Sequence, residues 1–371
     1  MHYIGLISGT SMDAIDCALV DITESGISLV DYQQYPLDRG IKHQLIPIND
    51  KTSLEKTAAL DVALGELFAE AANAICHVNR IEKEQIRAIG CHGQTIYHRT
   101  AGTAHTSIQI GDANIIAART GIDTVSDFRR MDMALGGQGA PFAPVIHEIL
   151  FRQDRKDTVV VNIGGMANIT ILPSGQGGRS VTGFDTGPGN VLLDEWTRLH
   201  QKLDYDSDGN WAKFGTADRD LLDLMLAYHY FSLPPPKSTG RDEFNLNWLK
   251  NQLEMYKVKL SNVNVQTTLV ELTAVSIGNM IDQHASAAED VILCGGGAHN
   301  RYLMERLACR LEGRNLKTTQ DYGYNPDAIE AMCFAWLAKL RMDNLAVPVS
   351  SVTGAARDAV LGAIYSSGVQ V

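Results

Sequence analysis

Short apolar runs that end in polar, glycine-containing turns open the chain. A strand is predicted over residues 3–7 and another over residues 18–22, and the turn between them is Gly9-Thr10-Ser11-Met12-Asp13. The two runs therefore predict a hairpin whose tip carries several hydroxyl and carboxyl groups.

A long helix is predicted next, because apolar residues from Leu60 to Ile75 recur with helical spacing. Thr52 and Glu55 stand at the spacing of a capping box, so we expect the helix to begin beside them. Residues 86–90 then predict a short strand that leads into Cys91-His92-Gly93-Gln94.

The same arrangement returns from residue 158 onward. One strand is predicted over residues 158–163, ending in Gly164-Gly165, and a second over residues 168–172. A third strand, over residues 180–184, runs into Asp185-Thr186-Gly187-Pro188-Gly189-Asn190, where a helix begins. Because a strand, a polar tip and a strand open both halves, we interpret the chain as two copies of one arrangement.

Strands and helices also alternate in the last part of the chain. Residues 291–293 predict a strand that runs into Gly295-Gly296-Gly297, Asn300 is placed to cap the helix that follows, and another helix is expected near Asp327. This alternation predicts an α/β protein in which helices flank mixed sheets, with a ligand cleft between the two halves. Residues 233–240, with three consecutive prolines, predict an exposed loop.

The charge balance narrows the choice of partners. The chain has 371 residues, and 32 Lys and Arg against 43 Asp and Glu give a formal net charge of −11. Nucleic-acid binders rely on basic residues that contact phosphates, so no nucleic-acid partner is expected. No apolar stretch approaches a membrane span and no secretory signal is found, so no membrane association is expected. The six widely spaced cysteines are expected to be buried free thiols in a reducing cytosol.

Two glycine-containing tips could hold phosphate groups. Residues 9–13, followed by Asp16, offer amide and hydroxyl donors for phosphate oxygens and carboxylates for Mg²⁺. Residues 162–168 offer similar donors in the second half. Each tip alone is also typical of a structural turn, whereas one tip in each half favours a phosphate clamp. Residues 295–297 would allow another close approach of a flat or anionic ligand, and the chain contains no Walker lysine motif.

Asp185 and Glu330 are the acidic candidates for catalysis. Asp185 follows a strand at the end where α/β sheets bind ligands, and it could accept a proton from water or from a hydroxyl group. A turn or helix-cap role is the alternative for this residue. Glu330 follows Asp327 by three residues, so a capping box is equally open there.

Several segments resemble the bacterial anhydro-N-acetylmuramic acid kinases. The matching residues are 7–13, 90–95, 136–141, 162–168, 183–190, 234–241 and 330–332. Because these segments span nearly the whole chain, chance does not explain the similarity. Ala14 is a departure, because glycine is expected after Met12-Asp13, and alanine restricts the backbone there without removing a polar group.

The resemblance implies two duplicated lobes of the actin, hexokinase and Hsp70 type (ribonuclease H-like), with ATP in the cleft between them. We expect an N-terminal lobe at residues 1–156, with a C-terminal helix near 355–371 as a candidate to complete it, and a C-terminal lobe at residues 157–371. The resemblance also implies a cytoplasmic homodimer that acts in peptidoglycan recycling and amino-sugar catabolism.

The reaction implied by the resemblance opens the 1,6-anhydro ring of 1,6-anhydro-N-acetylmuramic acid with water and phosphorylates O6 from ATP. The products are N-acetylmuramic acid 6-phosphate and ADP. Asp185 would be the base for the water, Glu330 a second catalytic residue, and Asp13 and Asp16 the Mg²⁺-linked residues. Candidate contacts to the sugar are His92, Gly93, Gln94, Asp127, Arg130 and Thr186. Candidate contacts to ATP are Gly9, Thr10, Ser11, Met12, Asp13, Ala14, Ile15, Asp16, Asn162, Gly164, Gly165, Gly295, Gly296, Gly297 and Asn300.

Two other functions are compatible with the sequence. One is an ordinary hydroxyl kinase that acts on an unmodified hexose or amino sugar. The other is an ATP-switched binding protein, like the chaperone and filament members of the superfamily. Stoichiometric ATP use with the anhydro sugar, and none without it, distinguishes the proposed reaction from both.

Overall fold

The computed structural model describes residues 1–9, 12–24, 26–45, 48, 52–100, 102, 105–175 and 178–368. The chain divides into two compact units, the first made of Met1–Leu150 and Asp327–Val371 and the second of Phe151–Pro326. Each unit is built on one mixed sheet with helices packed on it, so the predicted α/β class is confirmed.

The strands are β1 (His2–Ser8), β2 (Ala14–Thr23), β3 (Gly26–Pro36), β4 (Ile86–Arg99), β5 (Thr106–Ile110), β6 (Thr124–Ser126), β7 (Thr158–Ile163), β8 (Met166–Leu172), β9 (Thr182–Pro188), β10 (Asp290–Cys294), β11 (Asn315–Thr318) and β12 (Ala363–Tyr365). The helices are α1 (Arg39–Leu45), α2 (Leu54–Asn79), α3 (Ala113–Thr120), α4 (Arg129–Ala134), α5 (Ala143–Phe151), α6 (Val191–Gln201), α7 (Arg219–Leu226), α8 (Leu246–Tyr256), α9 (Asn262–His284), α10 (Arg301–Arg310), α11 (Ile329–Met342) and α12 (Ser350–Thr353). Short 3₁₀ turns cover Lys83–Gln85, Ser207–Gly209, Ala212–Phe214, His229–Ser232, Gly296–His299 and Thr319–Tyr322.

The strands of the two sheets are arranged in the same order within each sheet. In the first unit, β1, β2 and β3 form an antiparallel meander, and β4 and β6 add parallel strands on the other side of β1. In the second unit, β7, β8 and β9 form the meander, and β10 and β11 add parallel strands beside β7. The repeated strand–tip–strand pattern of the sequence therefore corresponds to a repeated topology.

Helix α11 explains why the end of the chain folds with the first unit. A methyl group on Gly5 would overlap the Ala331 carbonyl, and one on Gly90 would overlap the Phe334 carbonyl. Glycine in β1 and β4 thus lets the helix backbone lie directly on the sheet. The unit boundaries accordingly differ from the expected lobes at 1–156 and 157–371, since residues from Asp327 onward pack with the first unit. The described part of 355–371 contains strand β12 and not the expected helix.

Three local features differ from the sequence predictions. Helix α2 is capped by Ser53, whose side chain accepts from Lys56 N–H, and the expected box of Thr52 and Glu55 is not the cap. Strand β3 was not predicted, because its residues are mostly polar and only Ile27 is buried. Helix α9 was not predicted either, because buried polar residues among its apolar ones obscure the helical period.

The cysteines agree in most respects with the expectation of buried free thiols. All six cysteines are free, and five are buried as expected, whereas Cys309 is exposed. Within the described residues, no helix has both the length and the apolar character needed to cross a membrane.

Candidate active site

The first glycine-containing tip joins β1 to β2. Thr10 and Ser11 lie outside the described residues. The Met12 N–H donates to the Gly9 carbonyl at 3.1 Å, and Met12 has a positive φ of 55°, which makes a tight turn. The side chains of Met12 and Ile15 are buried in the core of the first unit, so only their backbone groups are available to a ligand. Ala14 begins β2.

The two acidic residues at this tip have different surroundings. Asp13 is exposed and forms an ion pair with Lys42. Asp16 accepts hydrogen bonds from Tyr32 Oη at 2.5 Å and from Gln34 Nε2 at 2.9 Å. Burial raises the pKa of Asp16 to about 6, and the nearby carboxylates of Glu330 and Asp327 contribute to the same shift. The return of α11 to the first unit therefore brings Asp16 and Glu330 into one electrostatic environment.

Asp13 and Asp16 are the residues at this tip that could hold Mg²⁺. Within the described ranges, no group of three or more His, Cys, Asp and Glu side chains could hold a metal ion. Mg²⁺ commonly keeps several waters and uses one or two carboxylates together with substrate phosphates. Asp16, which lies near other carboxylates, fits such a water-mediated role. Asp13, by contrast, is exposed and paired with Lys42, so a metal ion there would compete with this lysine.

His92 is buried and neutral. Its Nδ1 lies 2.9 Å from the Gly93 carbonyl, and its Nε2 accepts from Arg129 Nε at 2.9 Å. Burial, and after it the Arg129 charge, holds the pKa of His92 well below its usual range. Arg129 also donates to the Gly139 carbonyl at 2.6 Å. His92 therefore fixes Arg129 and is not itself a titrating group near neutral pH.

Asp127 and Arg130 line a cavity of about 330 Å³ within the first unit. Their side chains form two hydrogen bonds, from Arg130 Nε to Asp127 Oδ1 at 2.7 Å and from Nη2 to Oδ2 at 2.6 Å. Asp61, Gln109 and Asn114 also line this cavity, which gives it a polar wall. A polyhydroxylated ligand requires such donors and acceptors.

Three other candidate sugar contacts already make close contacts within their own units. Gln94 accepts a hydrogen bond from Ser8 Oγ at 2.6 Å in the interior of the first unit. Thr186 is buried, and its hydroxyl donates to the Ala167 carbonyl at 3.2 Å in the second unit. Gly93 has a φ of +78°, and a methyl group there would lie 2.6 Å from the Ile110 carbonyl. These positions support the local backbone.

The second glycine-containing tip, between β7 and β8, is tied to the turn after β9. The Gly164 carbonyl accepts from Asn190 N–H at 2.9 Å, and the Gly165 carbonyl accepts from the N–H groups of Gly189 and Val191 at 2.9 and 3.1 Å. Asn162 is buried at the end of β7. The tip and the turn that follows Asp185 are thus held in one hydrogen-bonded arrangement.

The three consecutive glycines after β10 have different surroundings. Gly295 has a φ of +78°, and a methyl group there would lie 2.9 Å from the Ile163 carbonyl. A methyl group on Gly297 would overlap the Ile163 side chain, whereas one on Gly296 would meet nothing. Asn300 caps α10, as predicted, because its Oδ1 accepts from Leu303 N–H at 3.0 Å. Gly296 is the position of this group that leaves open space for a ligand.

Asp185 lies in the middle of β9 and is 7% exposed. The sequence predicted that the strand ends before Asp185, but the pairing with β8 continues to Pro188. Its Oδ2 accepts a hydrogen bond from the Thr239 backbone N–H at 2.9 Å. Its own N–H donates to the Lys237 carbonyl at 3.1 Å, and its carbonyl accepts from Tyr230 Oη at 2.8 Å. The alternative role as a helix cap is not observed, because Asn190 is the N-cap of α6.

Asn168 is the cross-strand neighbour of Asp185. The two residues are direct partners in the pairing of β8 with β9, so their side chains lie on one face of the sheet. Asn168 Oδ1 is buried and finds no hydrogen-bond donor among the described residues. A buried amide oxygen without a donor is costly unless a water or a ligand supplies one.

Glu330 lies on the first turn of α11 and is exposed. The N-cap of this helix is Ala328, which makes no side-chain hydrogen bond, so the capping box with Asp327 is not formed. The residue stands at the N-terminal end of the helix, where the helix dipole interacts favourably with a negative charge.

Sequence reasoning missed three residues that contact the predicted ones. Arg129 donates to His92, and the sequence distinguished this arginine only by its position beside Arg130. Tyr230 and Lys237 hold Asp185. The three prolines before Lys237 suggested an exposed loop, but this lysine is buried.

A family model described as anhydro-N-acetylmuramic acid kinase matches residues 1–367. The chain is 47% identical to the anhydro-N-acetylmuramic acid kinase of Coxiella burnetii (strain Dugway 5J108-111), over 98% of this chain and 97% of that protein. It is 46% identical to the protein of the same name from Vibrio cholerae, over 98% of each chain.

Solved structures are more distant. Component A of (R)-2-hydroxyglutaryl-CoA dehydratase from Acidaminococcus fermentans aligns with a TM-score of 0.47 and 11% identity, over 91% of this chain and 98% of that one. The fold assignment therefore rests on the two sheets described above. The resemblance seen in the separate segments of the sequence is confirmed over nearly the whole length, and the chain belongs to the family of anhydro-N-acetylmuramic acid kinases.

Proposed function

We propose that this chain uses water to open the 1,6-anhydro ring of 1,6-anhydro-N-acetylmuramic acid and transfers the γ-phosphoryl group of ATP to O6. Membership of the family supports the substrate and the reaction. The structural observation that carries the proposal is the Asp185 carboxylate, which is buried on the edge strand β9 and oriented by the Thr239 N–H. Such a carboxylate suits the removal of a proton from a positioned water.

Asp185 and Asn168 can orient that water together. Each offers an acceptor oxygen on the same face of the sheet, and Asn168 Oδ1 has no donor among the described residues. A water that donates one hydrogen to each acceptor would direct a lone pair away from both. We infer that this lone pair attacks C1 of the sugar.

The bond changes balance with a single base. The water oxygen bonds to C1 and its proton passes to Asp185, while the C1–O6 bond breaks. O6 gains the released electron pair and bonds to the γ-phosphorus, and ADP leaves. The proton on Asp185 then passes to solvent. Positioning and charge stabilisation supply most of the catalysis in phosphoryl transfer, so one proton acceptor is sufficient.

Glu330 is proposed as the second catalytic residue. Its place on the first turn of α11, where its charge contributes to the raised pKa of Asp16, supports this role. The polar cavity beside Asp127 and Arg130 is proposed to contact the sugar.

The nucleotide is proposed to contact the two glycine-containing tips and Gly296. When bound, Mg²⁺ would neutralise charge on the phosphates. Asp16 would hold it through water, since this carboxylate lies near those of Glu330 and Asp327. Activity should therefore require a divalent cation, and full turnover in excess chelator would contradict this part of the proposal. A homodimer in the cytoplasm is proposed from the resemblance alone.

The reaction is tested by incubating the purified chain with ATP and the anhydro sugar. We expect one ADP for each sugar 6-phosphate formed, and no ADP without the sugar. Asp185→Asn should lower turnover by ~10²-fold or more, since general acid–base groups typically contribute ~10²–10⁴-fold. Its affinity for ATP, measured by calorimetry, should stay close to that of the wild type. Turnover with free N-acetylmuramic acid or a hexose in place of the anhydro sugar would indicate an ordinary hydroxyl kinase.

A further inference from the structure

The segment that follows the three prolines covers the outer edge of β9. This strand is last in the order of the second sheet, so no other described strand pairs with that edge. The Asp185 N–H instead donates to the Lys237 carbonyl at 3.1 Å, and Tyr230 Oη donates to the Asp185 carbonyl at 2.8 Å. Both backbone groups of Asp185 are therefore satisfied by residues outside the sheet.

The side chain of Lys237 is directed inward from this segment. It is 4% exposed, and its Nζ donates to the Tyr230 carbonyl at 3.2 Å and lies 4.7 Å from the centre of the Tyr230 ring. Burying an ammonium group is costly unless acceptors and negative charges compensate. The carbonyl and the face of the ring supply part of this compensation.

The carboxylates of Asp185 and Glu243 also favour the charged form of this lysine. Burial lowers the pKa of Lys237 to about 8, and the charges of these two carboxylates oppose that effect. Lys237 is therefore protonated throughout the acidic pH range in which a carboxylate titrates.

The other charged or titratable groups nearby belong to the same network. Glu243 accepts a hydrogen bond from Thr239 Oγ1 at 2.7 Å and lies 3.6 Å from His229 Nε2. Burial, and after it the charge of Lys237, lowers the pKa of His284. The buried ammonium of Lys237 thus interacts electrostatically with both Asp185 and Glu243.

We propose that Lys237 is a positioning residue for Asp185, whose buried ammonium keeps the carboxylate ionised while its backbone carbonyl holds Asp185 on the edge of β9. The inference rests on the proposed role of Asp185 as the base. A base must be ionised to accept a proton from water, and a nearby fixed cation favours that form. Lys237 therefore extends the activity of the enzyme toward lower pH.

The test compares the pH profiles of kcat/KM for the wild type and Lys237→Met. Methionine keeps the backbone carbonyl and a similar side-chain length but removes the charge. The acidic limb should move to higher pH by about one unit. Activity should fall about tenfold below the limb and approach that of the wild type above it. Lys237→Arg should return the limb toward its original position.

Lys250→Met is the matched control, because Lys250 is exposed on α8 in the same unit. Its profile should match that of the wild type. Lys237→Gln is made in parallel, and melting curves and ATP affinity are recorded for every variant. An unmoved acidic limb in a folded Lys237 variant would overturn the inference. Unfolding of both Lys237→Met and Lys237→Gln would also overturn it, because the lysine would then be needed for the fold itself.

Asp185→Asn separates this inference from the proposed function. If Asp185→Asn retains turnover, the proposed function loses its base. If Asp185→Asn is inactive and the limb of Lys237→Met is unmoved, only the role of Lys237 is overturned.

Discussion

The backbone N–H of Thr239 donates a hydrogen bond to Asp185 Oδ2 across 2.9 Å. The hydroxyl of the same threonine donates to Glu243 Oε2 at 2.7 Å. The backbone and the side chain of Thr239 thus act on two different carboxylates. Substitutions at this position can therefore separate orientation of the proposed base from stability of the surrounding loop.

Thr239→Pro removes the N–H and should reduce kcat. The bond to a charged acceptor is typically worth about 1.5–3 kcal/mol, so a loss of roughly 10- to 100-fold is expected. Thr239→Ala keeps the N–H and is the matched control. It should keep near-normal kcat. Its free energy of unfolding should fall by about 1 kcal/mol, because alanine removes the hydrogen bond from the Thr239 hydroxyl to Glu243. Equal kcat values in the two variants would contradict the role of the backbone bond.

Buried neutral histidines should make the protein less stable in acid. Burial lowers the pKa of His98 to about 4 and that of His147 to about 3. Because the unfolded chain binds protons near pH 6.5 and the folded one does not, stability present above that pH is lost as the pH falls. As the pH falls from 7 to 5, each of these two histidines should lower the free energy of unfolding by about 2 kcal/mol. Denaturant titration at the two pH values measures this loss.

His147→Gln tests the source of this pH dependence. The variant should lose about 2 kcal/mol less than the wild type between pH 7 and 5. His43→Gln is the control, because His43 is exposed on α1, and it should follow the wild-type curve. A wild-type slope in His147→Gln would show that this histidine does not contribute.

The glycines after β10 should respond differently to alanine. In Gly295→Ala, the alanine would have to adopt a positive φ, and its methyl group would overlap Asn162 and Ile163. The free energy of unfolding should therefore fall by about 2 kcal/mol or more. Gly296→Ala meets nothing in the structure and should change stability by less than about 0.5 kcal/mol. If Gly296 contacts the nucleotide, its variant should bind ATP about tenfold more weakly, which calorimetry would show. Unchanged affinity would remove Gly296 from the nucleotide site.

Glu330→Gln should separate catalysis from helix capping. Because Glu330 makes no capping box and its charge disfavours ionisation of Asp16, the melting temperature should stay equal or rise at neutral pH. Turnover should fall by ~10²-fold or more if the carboxylate acts on the substrate. Glu55→Gln, on the first turn of α2, is the matched control and should leave turnover unchanged. A stability loss of about 1 kcal/mol with normal turnover would instead indicate a capping role.

The local parts of the fold and site could be predicted from the sequence. The two hairpin tips, the strand that contains Asp185 and the cap at Asn300 are formed by residues that are neighbours in the chain. Apolar periodicity and turn residues carry that information directly. Family motifs then marked Asp185 and Glu330 as candidates.

The parts that depend on distant residues could not be predicted in this way. The packing of α11 on Gly5 and Gly90 joins opposite ends of the chain, so the boundary at Asp327 left no local signal. Lys237 is buried against Tyr230, to which it donates a hydrogen bond, whereas its own segment has the composition of an exposed loop. The long-range contacts of such residues override local composition.

The central claim is that one water, deprotonated by Asp185, opens the sugar ring while O6 of the sugar attacks ATP. It is tested most directly by running the reaction in ¹⁸O-labelled water and locating the label by mass spectrometry. The account predicts one labelled oxygen on the anomeric carbon of the product and none on the phosphate. Label in the phosphate, or an unlabelled anomeric oxygen, would contradict it.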